Sequence, residues 1–371
     1  MRVLGFMTGT SLDAVDIAVV ETDGEAIHAL GAAGERKLDP AARALIETAT
    51  RDALAWRWDE PRPASFAHAE AAIAEQHLIA ARAFLAAAGL TRADLDLVGL
   101  HGQTVLHEPP IPGRERGRTI QLIDAQRVAD GLGLPVAYDF RTADVAAGGQ
   151  GAPLAPIYHA ALARWSRLEA PVAALNLGGV ANVTLVAEDG ALQACDTGPA
   201  NGMIDLFVQA RTGARCDVDG ALARAGRIHE DILAGYLAHP YFAALGPKSL
   251  DRYDFSLDPV AGLGVEDGAA TLTAFAAEAV ALGLRALAPA PREVVACGGG
   301  RLNPALMAAI AERAPMRVRT AEEVGWRGDS IEAEAFAYLA ARTARGLPIS
   351  FPGTTGVPRP MTGGRIRRPE A

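Results

Sequence analysis

The sequence predicts an α/β protein of two domains, in which sheets are covered by helices. The chain has 371 residues, and one core usually holds fewer, because a typical domain has about 100 to 200 residues. Both halves open with a short apolar strand, a glycine-containing turn and a second strand, over residues 2–21 and again over 172–186. A further strand and then helical patterns follow each hairpin, which indicates mixed sheets flanked by helices and an internal duplication.

The individual elements follow from apolar periodicity and turn residues. Helices are predicted over 63–88, where Ile73, Ala80 and Phe84 recur at helical spacing, and over 330–345. His77 falls on the apolar face of the first helix, so it is predicted to be a hydrogen-bonded core histidine. Strands are predicted over 2–7, 15–21, 27–32, 97–100, 172–177, 181–186, 192–195 and 294–297.

The ends of the predicted elements carry further signals. Asp329 and Glu332 have the spacing of a capping box at the start of the second helix. Segments 109–117 and 350–371 are rich in Pro, Gly and Arg without periodicity, so both are predicted to be loops, the second with a frayed, solvated basic end.

Composition limits the possible partners. Hydrophobic residues make up 50% of the chain and aromatic residues only 5%, so Ala, Val and Leu must fill the core. The net charge of −9 would repel nucleic acid and anionic lipid surfaces, which argues against both as partners. No run approaches about 18 apolar residues and no signal-peptide core is present, so a protein that is neither exported nor in a membrane is expected. A reducing cytoplasm is expected because three distant cysteines fit neither a disulfide framework nor a zinc site: Cys195, Cys216 and Cys297.

Three glycine turns at strand ends favour a nucleotide held between the two halves. The turn from Gly9 to Asp13 could line an anion site, with Asp13 holding a hydrated divalent cation, or it could be an ordinary hairpin turn. Gly178 and Gly179 would admit phosphates close to the main chain, and residues 298–300 join a strand to a helix, where nucleotides often bind. Glycine turns more often serve packing, so each signal is weak alone. Neither lysine of the chain follows a Walker-type spacer.

Polar residues after two other strands are candidates for chemistry. Asp196 follows the strand predicted to end at Cys195, where it could face a ligand cleft or cap the next helix. His101 and Gln103 follow the strand over 97–100 and could bind a sugar, or simply form a hydrogen-bonded loop. His107 lies close to His101, but no carboxylate is near either ring in sequence, so a metal site is not predicted there.

Seven ordered stretches resemble the anhydro-N-acetylmuramic acid kinase family. Their succession covers nearly the whole chain, from Gly5 to about Gly356, and is far more specific than any single motif. They are GFMTGTSLDAVD (5–16), HGQTV (101–105), DFR with AGGQGAPL (139–141, 147–154), LNLGGVANVT (175–184), DTGP (196–199), CGGG (297–300) and DSIEAEAFA (329–337).

The resemblance implies the two-lobed actin-like ATPase fold of sugar kinases, with ATP and magnesium between lobes, in a cytoplasmic homodimer that recycles cell-wall peptidoglycan. The lobes are expected at 1–135 with about 346–371, and at 136–345. The implied reaction opens the 1,6-anhydro ring of anhydro-N-acetylmuramic acid and phosphorylates it to N-acetylmuramic acid 6-phosphate. An actin-like or chaperone-like ATPase with a conformational output is the alternative, and it would be indifferent to sugar. A glycosidase would leave the glycine turns unexplained.

The same resemblance assigns roles to individual residues. Asp196 is the implied catalytic base, and Asp13 the implied magnesium ligand through water. ATP contacts are implied for Gly9, Thr10, Ser11, Leu12, Asp13, Ala14, Val15, Asp16, Gly178, Gly179, Gly298, Gly299 and Gly300. Substrate contacts are implied for His101, Gln103, Asp139, Arg141 and Glu332.

Two departures from the family pattern stand out. Ala14 replaces a common glycine, which is tolerable only if the backbone there has no positive φ. The stretch 246–252 keeps a Pro-Lys-Ser core with altered flanks, so no role is assigned to it.

Overall fold

The computed structural model describes residues 1–9, 12–58, 60–110, 116–243, 250 and 254–370. The chain forms two compact units. The first unit comprises Met1–Trp165 and Ser330–Ala371, and the second unit comprises Ser166–Asp329.

The described residues form strands and helices in an alternating order. The strands are β1 Arg2–Met7, β2 Ala14–Thr22, β3 Ile27–Lys37, β4 Leu97–Leu100, β5 Gln103–Glu108, β6 Arg118–Leu122, β7 Val136–Tyr138, β8 Val172–Leu177, β9 Val180–Val186, β10 Leu192–Pro199, β11 Glu293–Cys297, β12 Arg317–Thr320 and β13 Arg365–Arg367. The α-helices are α1 Pro40–Ala55, α2 Ala64–Ala87, α3 Ala125–Leu132, α4 Thr142–Ala146, α5 Pro156–Trp165, α6 Asn201–Thr212, α7 Ala221–Ala225, α8 Glu230–Leu237, α9 Val265–Arg285, α10 Pro304–Arg313, α11 Ile331–Ala344 and α12 Pro352–Thr355.

The sheets of the two units repeat one strand order. The first unit has a six-stranded sheet, β13-β7-β4-β1-β2-β3, and the second unit a five-stranded sheet, β10-β9-β8-β11-β12. In each, a three-stranded antiparallel meander is extended by two parallel strands, so β3-β2-β1-β4-β7 matches β10-β9-β8-β11-β12. This repeat confirms the predicted duplication and the mixed α/β class, and it is the architecture of the actin-like ATPase fold.

Helix α11 lies against the first sheet at two glycines. A Cβ atom at Gly5 would approach the Ala333 carbonyl oxygen to 2.0 Å, and one at Gly99 would approach the Phe336 carbonyl oxygen to 2.2 Å. Strands β1 and β4 therefore need glycine to let the helix backbone come this close. On the other face, α2 contributes Ala74, Leu78 and neighbouring side chains to the core of the sheet.

Helices α2 and α11 confirm the helices predicted over 63–88 and 330–345. His77 is buried, and its Nδ1 lies 2.7 Å from the Ile73 carbonyl oxygen, as predicted for a core histidine. The capping box predicted from Asp329 and Glu332 is wrong, because Ser330 occupies the N-cap position and no side chain caps the helix there.

The chain after residue 350 is more ordered than the sequence indicated. β13 pairs antiparallel with β7, with Arg365 opposite Tyr138, and α12 precedes it. The prediction of a loop with a frayed end was therefore wrong in part, because edge pairing to a sheet does not require apolar periodicity. The segment predicted as a loop over 109–117 lies partly outside the described residues.

In the second unit, α9 is the central core helix. By length and composition it could span a membrane, with a mean hydropathy of 1.2, but 83% of the apolar window is buried inside the fold. It packs against α6, α7, α8 and α10 as well as β10. Such burial is typical of a core helix.

The compact units divide the chain at points other than the expected lobe boundaries of 135/136 and 345/346. β7 pairs with β4 and so joins the first sheet, although it begins at Val136. α11 covers β1, β2 and β4 and so belongs to the first unit as well. Sheet pairing and helix packing, which a boundary read from composition does not include, decide both assignments.

Candidate active site

The first glycine turn connects β1 to β2 in the first unit. Thr10 and Ser11 lie outside the described residues. Leu12 has φ 55°, and its amide donates to the Gly9 carbonyl oxygen at 3.2 Å, which closes the turn. Ala14 opens β2 opposite Lys37 and does not have a positive φ, so replacing the common glycine with alanine strains nothing. Val15 and Asp16 continue along β2 and are less available for ligand contact than turn residues would be.

Asp13 is the side chain of this turn that could serve a divalent cation. Its carboxylate is exposed and lies 3.9 Å from the Arg43 guanidinium. Among the residues that the structure describes, no group of three or more His, Cys, Asp or Glu side chains could hold a metal ion. A single exposed carboxylate fits magnesium only in its usual nucleotide-bound form, in which phosphates and waters supply most ligands.

Arg141 and His101 form the centre of a polar group in the first unit. The Arg141 Nε donates to His101 Nε2 at 3.0 Å, and a terminal guanidinium nitrogen donates to the Gly151 carbonyl oxygen at 2.8 Å. Burial lowers the pKa of His101 well below its usual value, and Arg141 lowers it further. His101 is therefore neutral, with its ring proton on Nδ1, because Nε2 accepts from the arginine.

Arg141 is a partly buried cation without a paired anion. Burial lowers its pKa to about 10, opposed by the negative charges of Glu332 and Asp144. Among the described residues no carboxylate lies within ion-pair distance of its guanidinium. The same site is braced by Asp144, whose Oδ1 accepts from the Gly151 amide at 2.6 Å and so fixes the carbonyl that Arg141 uses. A cation held this way is suited to an anionic ligand group.

Glu332 lies in the first turn of α11, and its side chain is exposed to solvent. Desolvation by the surrounding protein nevertheless raises its pKa, and Arg141 opposes that rise. Solvent access limits the size of this shift, so we use only its direction. Since Glu332 does not cap the helix, its position favours contact with a ligand.

The other two predicted substrate residues have protein partners. Gln103 is buried, and its Nε2 lies 3.5 Å from the Gly9 carbonyl oxygen, which links the loop after β4 to the first glycine turn. Asp139, at φ 57°, pairs with Arg365 at 3.1 Å and accepts a hydrogen bond from Thr142. These bonds give Asp139 a structural role whether or not it contacts substrate.

In the second unit, Asp196 belongs to a polar row across the sheet. β10 continues to Pro199, so Asp196 lies within the strand at a register shift rather than after its end, and it does not cap α6, whose N-cap position is Ala200. Asp196 lies opposite Asn182, which lies opposite Asn176. Paired residues of adjacent strands share one face of a sheet, so these polar side chains project on the same side.

The environment of Asp196 suits a general base. Burial raises its pKa to about 7, although a hydrogen bond from the Leu250 amide to Oδ2, at 2.8 Å, opposes the rise. Tyr241 donates to the Asp196 backbone carbonyl at 2.6 Å and fixes the strand. The side chain keeps partial solvent access, which a base that activates water requires.

The second and third glycine turns are neighbours because β8 and β11 are parallel and adjacent. Gly178 and Gly179 follow β8, and their carbonyl oxygens accept from amides at the start of α6, at 3.0 Å for both Asn201 to Gly178 and Ala200 to Gly179. Gly298 follows β11 with φ 75°, and a Cβ atom there would lie 2.3 Å from Asn176 Oδ1. The two turns thus form one continuous glycine surface at the carboxyl ends of two parallel strands, where ligands of open sheets bind.

Sequence reasoning missed several polar residues of this surface. Asn176 and Asn182 lie within the stretch that carries the family resemblance, and their alternation with apolar neighbours could have singled them out. Asn201, whose Nδ2 lies 3.5 Å from the Leu177 carbonyl oxygen, and Tyr241 had no comparable signal, since only the fold brings them near.

Comparison with known proteins agrees with these features. A sequence model of the anhydro-N-acetylmuramic acid kinase family matches residues 1–368. An anhydro-N-acetylmuramic acid kinase of Caulobacter vibrioides is 64% identical over 99% of this chain and 98% of that protein, and one of Phenylobacterium zucineum is 63% identical over 100% of both. An activator of 2-hydroxyisocaproyl-CoA dehydratase from Clostridium difficile, solved with bound ADPNP, is a distant structural relative, with a TM-score of 0.47, 13% identity, and coverage of 93% of this chain and 96% of that chain.

The full-length match and the level of identity identify the class: the chain is a carbohydrate kinase that uses ATP. It belongs to the anhydro-N-acetylmuramic acid kinase family.

Proposed function

We propose that this enzyme opens the 1,6-anhydro ring of anhydro-N-acetylmuramic acid with water and transfers the γ-phosphoryl group of ATP to the freed oxygen. The observation that carries the mechanism is Asp196, a partly accessible carboxylate whose pKa is raised to about 7. Such a group accepts a proton readily near neutral pH.

Each bond change has an assigned partner. Asp196 takes a proton from water, whose oxygen bonds to the anomeric carbon as the bond from that carbon to O6 breaks. O6 attacks the γ-phosphorus, and ADP leaves. The phosphoryl group thus takes the place of the general acid that a glycosidase would need. Attack opposite the leaving oxygen inverts the anomeric centre.

The glycine turns would bind the nucleotide through their main chain. Residues 9–16 of the first unit, with Gly178 and Gly179, would hold phosphates, and residues 298–300 would hold the adenosine. Magnesium, held by the phosphates and through water by Asp13, would neutralise charge on the phosphoryl oxygens. Open space around Gly179 and Gly299, where a Cβ atom would meet no protein atom closer than 3.8 Å, supports a close ligand approach.

The polar group around Arg141 would bind the sugar. Its unpaired guanidinium is complementary to the carboxylate of the lactyl substituent of N-acetylmuramic acid, and neutral His101 and exposed Glu332 would take neighbouring polar groups. Gln103 and Asp139 would hold the surrounding loops. We further propose a cytoplasmic homodimer acting in peptidoglycan recycling, on the strength of the family membership.

One labelling experiment tests the reaction. The enzyme is run with ATP and the anhydro-sugar in water carrying a heavy oxygen isotope, and the products are analysed by mass spectrometry. Label should appear at the anomeric hydroxyl and be absent from the phosphate. Label in the phosphate, or ADP release that does not depend on the sugar, would instead support the ATPase alternative.

A further inference from the structure

Arg301 is a buried arginine that directly follows the glycines of residues 298–300. Its side chain is 3% exposed. All five N–H donors of the guanidinium have partners: Nε and one terminal nitrogen contact Glu322 Oε1 at 2.9 and 2.8 Å, the two terminal nitrogens contact Asp329 Oδ1 and Oδ2 at 2.7 and 2.9 Å, and one donates to the Gly298 carbonyl oxygen at 2.9 Å. A planar arginine fork held on every side has one orientation.

The bond to Gly298 fixes the peptide that joins Gly298 to Gly299. In a trans peptide the carbonyl and the following amide point in opposite directions. Because the Gly298 carbonyl is turned toward Arg301, the Gly299 amide is turned away from it. Gly299 is exposed, and its amide has no acceptor among the described residues.

The packing around Arg301 supports a device specific to arginine. A Cβ atom at Gly328 would lie 2.1 Å from Arg301 Nε, so the main chain of residue 328 lies flat against the guanidinium. The hydrogen bond from Arg301 also lowers the pKa of Asp329 and keeps that exposed carboxylate ionised. A lysine could supply the charge but could not occupy all these acceptors at once.

We propose that Arg301 is a positioning residue for the nucleotide: by holding the Gly298 carbonyl, it aims the Gly299 amide at an oxygen of the bound ATP. This inference rests on the proposed function, in which residues 298–300 contact the nucleotide. It adds a residue that touches neither ATP nor sugar and acts only through the shape of the glycine turn.

The test compares two ways of disturbing the device with matched controls. Arg301→Lys keeps the charge and removes the fork, and Gly328→Ala displaces the intact arginine. Arg319→Lys alters another half-buried arginine of the second unit, paired with Glu293 at 3.3 Å and not bonded to the glycine turn. Gly235→Ala adds a methyl group in a helix where a Cβ atom meets nothing within 4 Å. Melting temperature, the Kd for ADP by calorimetry, and KM for ATP and for the anhydro-sugar are measured for each variant.

Arg301→Lys and Gly328→Ala should raise the Kd for ADP and KM for ATP about tenfold, the loss expected for a charge-assisted hydrogen-bond arrangement, with KM for the sugar unchanged. Arg319→Lys and Gly235→Ala should leave all three constants unchanged. A lower melting temperature with unchanged nucleotide constants in both test variants would show a merely structural arginine and overturn the inference.

Hydrogen exchange separates failure of the inference from failure of the proposed function. In the wild-type enzyme, ADP should slow exchange of the Gly299 amide. No protection would mean that residues 298–300 do not bind the nucleotide, which refutes the assignment on which the inference rests. Protection that persists unchanged in Arg301→Lys, with wild-type affinity, would refute the positioning role alone.

Discussion

The role of Asp196 as a base predicts a specific pH dependence of catalysis. The ionised carboxylate is the active form, so kcat/KM for the anhydro-sugar should rise with pH and level off above the pKa. Burial places that pKa near 7, about three units above the ordinary value for aspartate.

The size of the effect follows from this pKa. At about pH 5, two units below the midpoint, only about 1% of Asp196 is ionised, so kcat/KM should fall about a hundredfold from its plateau. An aspartate with an ordinary pKa would be more than about 90% ionised at that pH and would leave the rate almost unchanged. Asp196→Asn should lose activity on the order of 10²-fold or more at every pH, with nucleotide binding retained.

The assay is sugar-dependent ADP release, measured with a coupled system from about pH 5 to about pH 9, with single-turnover measurements to isolate the chemical step. Asp189→Asn is the matched control, because Asp189 is an exposed turn residue that bonds only the Ala191 amide among the contacts described. It should keep both the plateau and the midpoint. A midpoint below about pH 5, or an Asp196→Asn enzyme with more than about a tenth of wild-type turnover, would refute the assignment of the base.

The same shift has an opposite consequence for stability. A carboxyl group whose pKa is higher in the folded state than in the unfolded state favours folding when protonated, so its contribution is fully present below about pH 4 and is lost as pH rises through about 7. Asp196→Asn should remove this dependence and be more stable than the wild type above neutral pH. Activity and stability at this residue thus change in opposite directions.

Three further predictions follow from other parts of the structure. Glu332→Gln should lower turnover at least about tenfold without lowering the melting temperature, because Glu332 is exposed and caps nothing; a lower melting temperature with full turnover would favour a structural role. Gly5→Ala should destabilise the protein by about 1 to 3 kcal/mol or more in urea titration, because its methyl group meets the Ala333 carbonyl oxygen, whereas Gly235→Ala should be neutral or slightly stabilising. Acid should also destabilise the first unit between about pH 6.5 and pH 4, because burial depresses the pKa of four histidines that must stay neutral, and a free energy of unfolding that is flat over this range would contradict it. These histidines are His77, His101, His107 and His159.

The elements that sequence predicted well are those with strong local patterns. β1, β8 and β11 are short buried strands with apolar runs, and α2 and α11 carry stripes at helical spacing. Their bounds agree with the prediction to within one or two residues, because burial and periodicity act over the same few residues.

The features that sequence missed depend on distant partners. β13 forms because β7 offers an edge, and Asp329 ends in an ion pair with Arg301 rather than in a helix cap. The local spacing from Asp329 to Glu332 favours a cap, but a bidentate arginine is a stronger partner for a carboxylate. Likewise, the neighbourhood of the second and third glycine turns follows from the pairing of β8 with β11, which no local pattern encodes.

The duplication gives an internal comparison for the polar row at Asp196. In both sheets one row lies one pair before the last pair of the central hairpin. In the second unit, that row reads across β10, β9, β8 and β11 as Asp196, Asn182, Asn176 and Cys297. In the first unit, the matching row across β3, β2, β1 and β4 is Gly34, Ile17, Phe6 and Leu100.

An apolar row therefore satisfies this fold at the same place in the same sheet. The polar row of the second unit adds nothing that sheet formation requires, and it places a carboxylate where burial disfavours its charge. Residues that oppose stability at a strand end beside two glycine turns are expected where chemistry demands them. The contrast between the two rows thus supports Asp196 as the catalytic group on grounds independent of sequence similarity.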